Sequence, residues 1–482
     1  MYKVLRLSIF LMTCLIVESH VRGQAVNSVV QAETIGLKAD VSSDNSKIMN
    51  EYLASHSNVE IAFRKGTYVF DNISITNPGI TISGNNTLFK PAATALSQGV
   101  IVIKARNCRV KNLTLDGSKN DSLKAGIKII NAENVTLTAL KIKNIGYHGI
   151  DISSSNKIFI SDCDVSHCYN GIQFWGGDAK FHTGSGVSDI VVKSCRVHDM
   201  AEGGIWGSMG TRIQFKNNDV YNCLDVGLDL EGCANSIISD NSASNCKNGC
   251  ISLFYGSHNI KIFQNRAHPY SNQIGIKFFN SNYVIRHVVV SKNVITGNNC
   301  QGIHLDERAA SQIIFRDNLI SGKGTSGLRA ISCDSIDVIA NRINLQNASF
   351  GVSNEGGDSW HLTDNHITNV SSADQKEASK GIFIYWSSNK HPAMNNHVIG
   401  NTIFGYDASI LEDSWGDLQK PENEYSKNTL ESLYQNSGRK KSTNLKLNNG
   451  KYSLPKTNQF IPLAPKSNVG FKPDLKNMTR VL

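Results

Sequence analysis

Short runs of alternating apolar and polar side chains recur along the chain, most of them opened by a glycine. They read "GIKII" at 126, "GIDIS" at 149, "GIQFW" at 171, "GIWGS" at 204, "GLDLE" at 227, "GIKFF" at 275, "GIHLD" at 302, "GLRAI" at 327, "GVSNE" at 351 and "GIFIY" at 381. "CISLF" at 250 joins the series with Cys in place of Gly. The starts lie 23, 22, 33, 23, 23, 25, 27, 25, 24 and 30 residues apart. A two-residue period predicts strands, and a unit of roughly 24 residues held over so many copies predicts a solenoid. A second column of "N-x-apolar" steps starts at Asn218, Asn241, Asn265, Asn293, Asn318, Asn341, Asn365 and Asn401. Each unit then holds two or three short strands separated by Gly, Asn, Asp and Ser turns. No Leu-x-x-Leu-x-Leu consensus and no helical period runs inside a repeat. The expectation is an all-β parallel β-helix, a single-stranded solenoid of about 12 coils in which like positions stack about 4.8 Å apart. The Asn column has a structural role in it, because Asn tolerates left-handed backbone and its amide can bond the next Asn along the stack.

The ends differ from the middle. "SSDNSKIMNEYLASHS" (42–57) predicts one helix, with Ile48, Tyr52 and Leu53 on a shared face, placed to cap the N-terminal coil. Beyond about residue 420 the period fails and prolines gather. The expected division is a signal peptide over 1–23, a cap with its helix over 24–64, the β-helix over 65–415 and an irregular basic tail over 416–482. Lys3 and Arg6 precede the apolar "LSIFLMTCLIV", and "VRG" offers a cut near Gln24, so the chain is expected to be secreted or periplasmic. No other stretch is apolar enough for a membrane span.

Charge changes the picture little. The formal net charge is +9, but residues 420–482 alone hold twelve Lys/Arg against four Asp/Glu. The basic balance thus belongs to the tail and gives no support to a nucleic-acid partner for the body. Ten cysteines remain outside the leader, without C-x-x-C or Cys/His metal spacing. Cys168, Cys223, Cys246 and Cys300 recur just before the glycines and read as small apolar core residues.

The segment "IGLKADVSSDNSKIMNEYL…VEIAFRKGTYVF" (35–70), followed by these coils, resembles the pectin-lyase-like right-handed parallel β-helix superfamily over residues 30–415. It looks most like the pectate-lyase-type polysaccharide-degrading and phage-tailspike branches. The resemblance implies a right-handed coil and a glycan partner but no single reaction. The Asn-Thr-Asp, Asp-Asp, Gly-His-Gly and Arg-Ile-Lys signatures of polygalacturonases and the Asp-Pro-His-Asp of alginate epimerases are absent, so no catalytic residue carries over.

Candidate chemistry therefore comes from stacking. With each glycine numbered zero, positions one and three point inward and two and four outward. Position two reads Lys128, Asp151, Gln173, Trp206, Asp229, Ser252, Lys277, His304, Arg329, Ser353 and Phe383. Position four includes Trp175, Glu231, Phe254, Phe279, Asp306, Glu355 and Tyr385. Aromatics on an outward strip, with Tyr255 and Trp386 nearby, suggest platforms for sugar rings, the alternative being cover by loops as ordinary core. The insertions "GGDAKFHTGSGVS" (176–188) and "SSNKHPAMNN" (387–396) leave from the same corner and are expected to wall a groove. Asp151, Gln173, Trp175, Trp206, Phe254, Phe279, Glu355 and Tyr385 are the expected substrate-binding residues.

Two reactions compete for the catalytic candidates Asp229, Glu231, Lys277, His304, Asp306 and Arg329. The row Lys277, His304, Arg329 in consecutive coils is expected to repel internally and to call for an anion, the alternative being a surface ladder neutralised by Asp306 and Glu355. On a uronate or sulfated glycan it favours β-elimination, with Arg329 neutralising a carboxylate and Lys277 or His304 as base. The alternative is hydrolysis by paired carboxyls. Asp229 and Glu231 stand about 6.7 Å apart by strand rise, and Asp306 and Glu355 about 9.6 Å apart. A glycan-binding or adhesive solenoid without catalysis is the third reading. No cofactor is certain from the sequence; Asp229, Glu231 and Asp306 could hold Ca2+ through oxygen ligands, although no dedicated calcium loop is present.

Overall fold

The computed structural model describes residues 28–92, 98–184, 186–370, 379–385, 393–413 and 423–431. All of these fall in the first of two compact units, residues 1–445. The expected leader, Trp386, most of the 387–396 insertion and the chain beyond 431 lie outside the described residues.

Parallel pairing from coil to coil builds three sheets. The first runs from Ile73–Ile75 and Ile101–Ile103 through Asn170–Trp175, Ile205–Ser208, Leu228–Glu231 and Ile251–Phe254 to Lys380–Tyr385 and Ala408–Asp413. Counted on this sheet the solenoid has about 14 turns rather than about 12. The extra coils escaped the glycine pattern because Val100 and Ser409 stand where Gly126 and Gly381 stand in their neighbours. The repeat also extends beyond its expected bounds. Ser28–Gln31 pairs with Val59–Phe63 inside the expected cap, and Glu424–Ser426 and Thr429–Glu431 add strands inside the expected irregular tail.

The alternation has its expected cause. Ile150, Ile172, Ile205, Leu228, Ile251, Ile276 and Ile303, all at position one, are buried in a single hydrophobic column. Each buried aliphatic side chain contributes roughly 1.5–3 kcal/mol. The glycine before it is required by space, not by backbone angle. A Cβ on Gly149 would stand 2.4 Å from Val165 Cγ1 and 2.7 Å from the carbonyl oxygen of Gly171. All ten cysteines among the described residues are buried and unbridged, packed as small core residues.

The Asn column forms a continuous chain of amides. Asn218, Asn241, Asn265, Asn293, Asn318, Asn341, Asn365 and Asn401 each donate Nδ2–H to Oδ1 of the next, at 2.8–3.1 Å, and Asn428 closes the series. The left-handed backbone expected of this column lies one residue earlier, at Asn217, Asp240, Gln264, Lys292, Asp317, Ala340 and Asp364. That residue makes the bend, and the ladder Asn fills the space inside it.

The helix forms over Ser46–Ser55. It buries Met49 and Leu53, while Ile48 is 37% exposed, against the expectation that Ile48 shared the inner face. Asn45 sets this rotation: its amide bridges Lys38 and Val69 just before the first turn. Asn50 Oδ1 accepts from the Ser74 N–H, so the helix covers the free edge of the first coil.

Candidate functional site

Position two of the first sheet forms one continuous ladder. Lys128, Asp151, Gln173, Trp206, Asp229, Ser252, Lys277, His304, Arg329, Ser353 and Phe383 are Cα partners in successive coils. Position four runs beside it through Trp175, Ser208, Glu231 and Phe254. These side chains leave the core outward, but the face is not open as expected. Asp151, Gln173, Asp229 and His304 are buried, and Asp229 is only 1% exposed. Trp206, Glu231, Phe254, Lys277, Phe279, Asp306, Arg329, Glu355 and Tyr385 are half-buried, and Trp175 is 40% exposed.

Two flanks enclose the strip. On one side the turn residues two before each glycine stack by backbone hydrogen bonds: the N–H of Glu202 bonds Tyr169 O, that of Asp225 bonds Glu202 O, and that of Asn248 bonds Asp225 O. On the other side, the 176–184 hairpin leaves Trp175 and crosses several coils. Ser208 Oγ donates to Gly177 O at 2.6 Å, and His182 Nε2 bonds Tyr255 O at 2.9 Å while its ring stacks on Tyr283.

This enclosure perturbs the carboxyls. Burial raises the Asp229 carboxyl well above the usual range, and the charges of Glu231 and Asp225 push the same way. Glu231 is raised to about 7 by burial, then by Asp225 and by Asp178 of the hairpin. His148, on the shoulder of the strip, is lowered to about 4 by burial against the opposing pull of Asp151. Among the described residues, eight buried side-chain atoms lack a hydrogen-bond partner, and four of them lie on the position-two ladder: Gln173 Oε1, Trp206 Nε1, Asp229 Oδ1 and His304 Nδ1. Unpaired buried polar atoms are costly, and half of those found lie on this one ladder.

The basic row is not the bare anion site expected. Lys277 Nζ lies 3.8 Å from Asp306 and 3.7 Å over the Phe279 ring. His304 Nε2 is 3.1 Å from Asp306. Arg329 grips Glu355 through two bonds of 2.7 and 2.9 Å. Lys128 is likewise 3.0 Å from Asp151. Burial raises the Asp306 carboxyl, but His304, Lys277 and the Asn280 N–H together hold it below its ordinary value. The alternative to a bare row, neutralisation by Asp306 and Glu355, is what forms: these carboxylates stand at position four of the same or the next coil.

The three oxygens offered to Ca2+ do not converge. Asp306 lies three coils, about 14 Å, from Asp229 and Glu231. Among the described residues no group of three His, Cys, Asp or Glu is arranged to hold a metal. Phe254 and Phe279 stack on each other, ring centroids 3.6 Å apart, and Phe383 lies between Phe350 and Tyr385. Asp225, Asp178, Tyr147 and Tyr169 went unread in the sequence. Their signal is positional: Tyr147, Tyr169 and Asp225 stand two residues before Gly149, Gly171 and Gly227, a column of turns beside the strands, and Asp178 stands in the insertion.

No described helix is long and apolar enough to cross a membrane. No curated protein matches the chain by sequence. A family model described as "right handed beta helix region" matches residues 98–180 and 125–287. Among solved structures, the pre-mature gene product 12 of bacteriophage phi29 is similar at 15% identity and TM-score 0.55, over 78% of this chain and 52% of that one. Tailspike protein 3 of bacteriophage CBA120 is similar at 11% identity and TM-score 0.52, over 84% and 62%. The surface adhesin PfbA of Streptococcus pneumoniae is similar at 13% identity and TM-score 0.51, over 66% and 90%. At such identities the likeness speaks for the fold, which hosts several functions.

Proposed function

We propose that this chain, a right-handed parallel β-helix of the pectin-lyase-like fold, hydrolyses glycosidic bonds of a polysaccharide, with Asp229 and Glu231 as the reacting carboxyls. The observation that carries the reading is the pair itself: two neighbouring carboxyls with raised pKa values, one with a buried and unpartnered oxygen, on a strip walled on both sides. Such perturbed pairs are what acid–base catalysis at a sugar needs. Asp229, the deeper of the two, keeps its proton and donates it to the departing glycosidic oxygen. Glu231 ionises at about 7 and takes a proton from the attacking water. Water adds across the broken bond, and the two carboxyls end with their proton exchanged, to be restored by solvent.

The charge pattern argues that the reacting stretch of the glycan is uncharged. Lys128, Lys277 and Arg329 on the strip each have a carboxylate partner, while Asp178, Asp225 and Glu231 crowd together. A polyuronate would meet net negative charge at the pair. Export, expected from the leader, is part of the proposal, as is action on an extracellular glycan.

The experiment is incubation of the protein with neutral, uronate and sulfated glycans, reading new reducing ends and the ultraviolet absorbance of unsaturated uronates in parallel. New reducing ends without absorbance, from neutral glycans, support the proposal. Rising absorbance assigns β-elimination and returns the chemistry to Lys277, His304 and Arg329. Binding without either product assigns an adhesive role.

A further inference from the structure

On the proposed reading that Asp229 and Glu231 cleave a glycan, the two directions away from them along the solenoid are unequal. Toward the C-terminal coils the strip is occupied by its own contacts. Phe254 and Phe279 cover each other's faces, Lys277 and His304 close on Asp306, and Arg329 is held by Glu355. A sugar there would have to displace an ion pair or open a ring stack.

Toward the N-terminal coils the strip offers two coils of unused groups before it meets the Lys128–Asp151 ion pair in the third. One coil from Asp229 stands Trp206, whose buried indole N–H has no acceptor. Two coils away Gln173 is 7% exposed, and its Oε1 has no donor. The indole is close to the wall: a Cβ on Gly203 would stand 2.8 Å from Trp206 Cδ1, so floor and wall touch there. The wall beyond Asp225 continues through Glu202 to Tyr169, linked by backbone hydrogen bonds. Tyr169 and Tyr147 also stack on each other, ring centroids 5.0 Å apart at 13°, but more loosely than Phe254 on Phe279, and they stand 37% and 41% exposed where those rings are half-buried, so their outer faces are open. Tyr147 also lies under Lys124 Nζ at 5.8 Å. Exposed aromatics beside buried, unsatisfied donors and acceptors are the combination that binds a sugar, apolar on its faces and hydroxylated at its rim.

We propose that Tyr147 and Tyr169, with Gln173 and Trp206, form glycan subsites that extend the cleft from the acid pair toward the N-terminal coils only. The floor then spans three coils, about 14 Å, with a rise per coil close to the advance of one pyranose in an extended chain. Gln173 Oε1 accepts from a sugar hydroxyl, and the Trp206 N–H donates to one. Tyr169 and Tyr147 pack against the ring faces of the distal units. The occupant is a neutral oligosaccharide segment, in keeping with the paired cations of the strip.

The test uses full-length protein carrying Glu231→Gln, so that bound sugars persist. Its affinity is measured for neutral gluco-, manno- and xylo-oligosaccharides graded from two to five units. Affinity is expected to climb up to about four units, at least tenfold, in whichever series binds. Adding Tyr147→Ala and Tyr169→Ala is expected to remove that climb and leave disaccharide binding unchanged, whereas adding Phe279→Ala is expected to keep it. A climb that survives the tyrosine changes overturns the inference, as does one abolished by Phe279→Ala, or failure of every series to bind. The catalytic reading is judged separately: hydrolysis by the wild type without a length effect sinks the subsites alone. A length effect without hydrolysis sinks the catalysis alone.

Discussion

Trp206 and Asp229 are register partners in adjacent coils, yet the indole N–H of one and the carboxyl Oδ1 of the other are both buried and both without a hydrogen-bond partner. Two complementary groups left unpaired side by side cost stability that better packing could recover. Strain of this kind collects at functional sites, and it points the catalytic predictions at this strand.

Replacing Glu231 by Gln should end turnover and raise stability. The folded carboxyl, at about 7 against an ordinary 4.5, holds an extra proton between those values, so stability is lost as pH rises through that window. The difference amounts to about 2–3 kcal/mol after allowance for partial exposure. Chemical denaturation at about pH 4 should find the two proteins nearly equal, and at about pH 8 should favour Glu231→Gln by about 1–3 kcal/mol. A variant less stable than wild type at the higher pH would contradict the environment described for Glu231.

Activity should rise with pH along an acid limb near 7, where Glu231 ionises as base. Asp178→Asn removes one of the negative neighbours that raise Glu231, while a side-chain oxygen remains to accept from the Lys180 N–H. The limb should therefore move to lower pH without loss of the maximum rate. A pH–rate profile of the two proteins reads this directly, and coincident limbs would remove Asp178 from the site.

Arg329→Ala should be a structural lesion and not a catalytic one. It leaves Glu355 half-buried without its two-pronged partner, a cost of about 1–3 kcal/mol. Turnover should stay within about threefold of wild type. A loss of about a hundredfold or more would place the chemistry on the basic row.

Asn293→Ala should destabilise the solenoid severely. Asn293 Oδ1 accepts from both the backbone N–H and the side-chain Nδ2 of Asn265, and its own Nδ2 donates to Asn318 Oδ1 and Ile262 O. Several buried groups lose partners at once, at about 1–3 kcal/mol each, so the summed cost should exceed about 3 kcal/mol. Denaturation midpoints measure it, and a loss below about 1 kcal/mol would deny the ladder its role.

The coil was legible because it is periodic. A glycine that leaves room for a neighbouring carbonyl, as Gly149 does where a Cβ would stand 2.7 Å from Gly171 O, cannot be replaced freely, and so it prints the repeat on the chain. Register followed, since Asp229 stacks on Ser252 and Lys277 on His304 as the columns imply. Contacts between columns were legible only as an alternative, in which Asp306 and Glu355 neutralise the basic row. The grip of Arg329 on Glu355 joins position two of one coil to position four of the next, and strand spacing alone does not say which way a long side chain leans. Burial of the outward strip also escaped, because the cover comes from irregular turns and from the 176–184 hairpin, whose path no period records. Val100 and Ser409 hid two coils by the same logic, since a pattern keyed to glycine passes over a coil that lacks it.

The amide ladder has one more consequence, which follows from its polarity. Every rung hands its backbone N–H and one amide N–H forward, toward the coil made later, and offers its oxygen backward, while its second amide N–H returns to a carbonyl of the coil before. Shortening the gene from its 3′ end would strand two donors at the new terminus, whereas starting the chain a coil later would strand one donor and an acceptor. Stranded donors are the less tolerated of the two. During synthesis each turn therefore waits for its successor before it is chemically complete, and nonsense mutations late in the gene should prove more damaging than the few residues they remove would suggest.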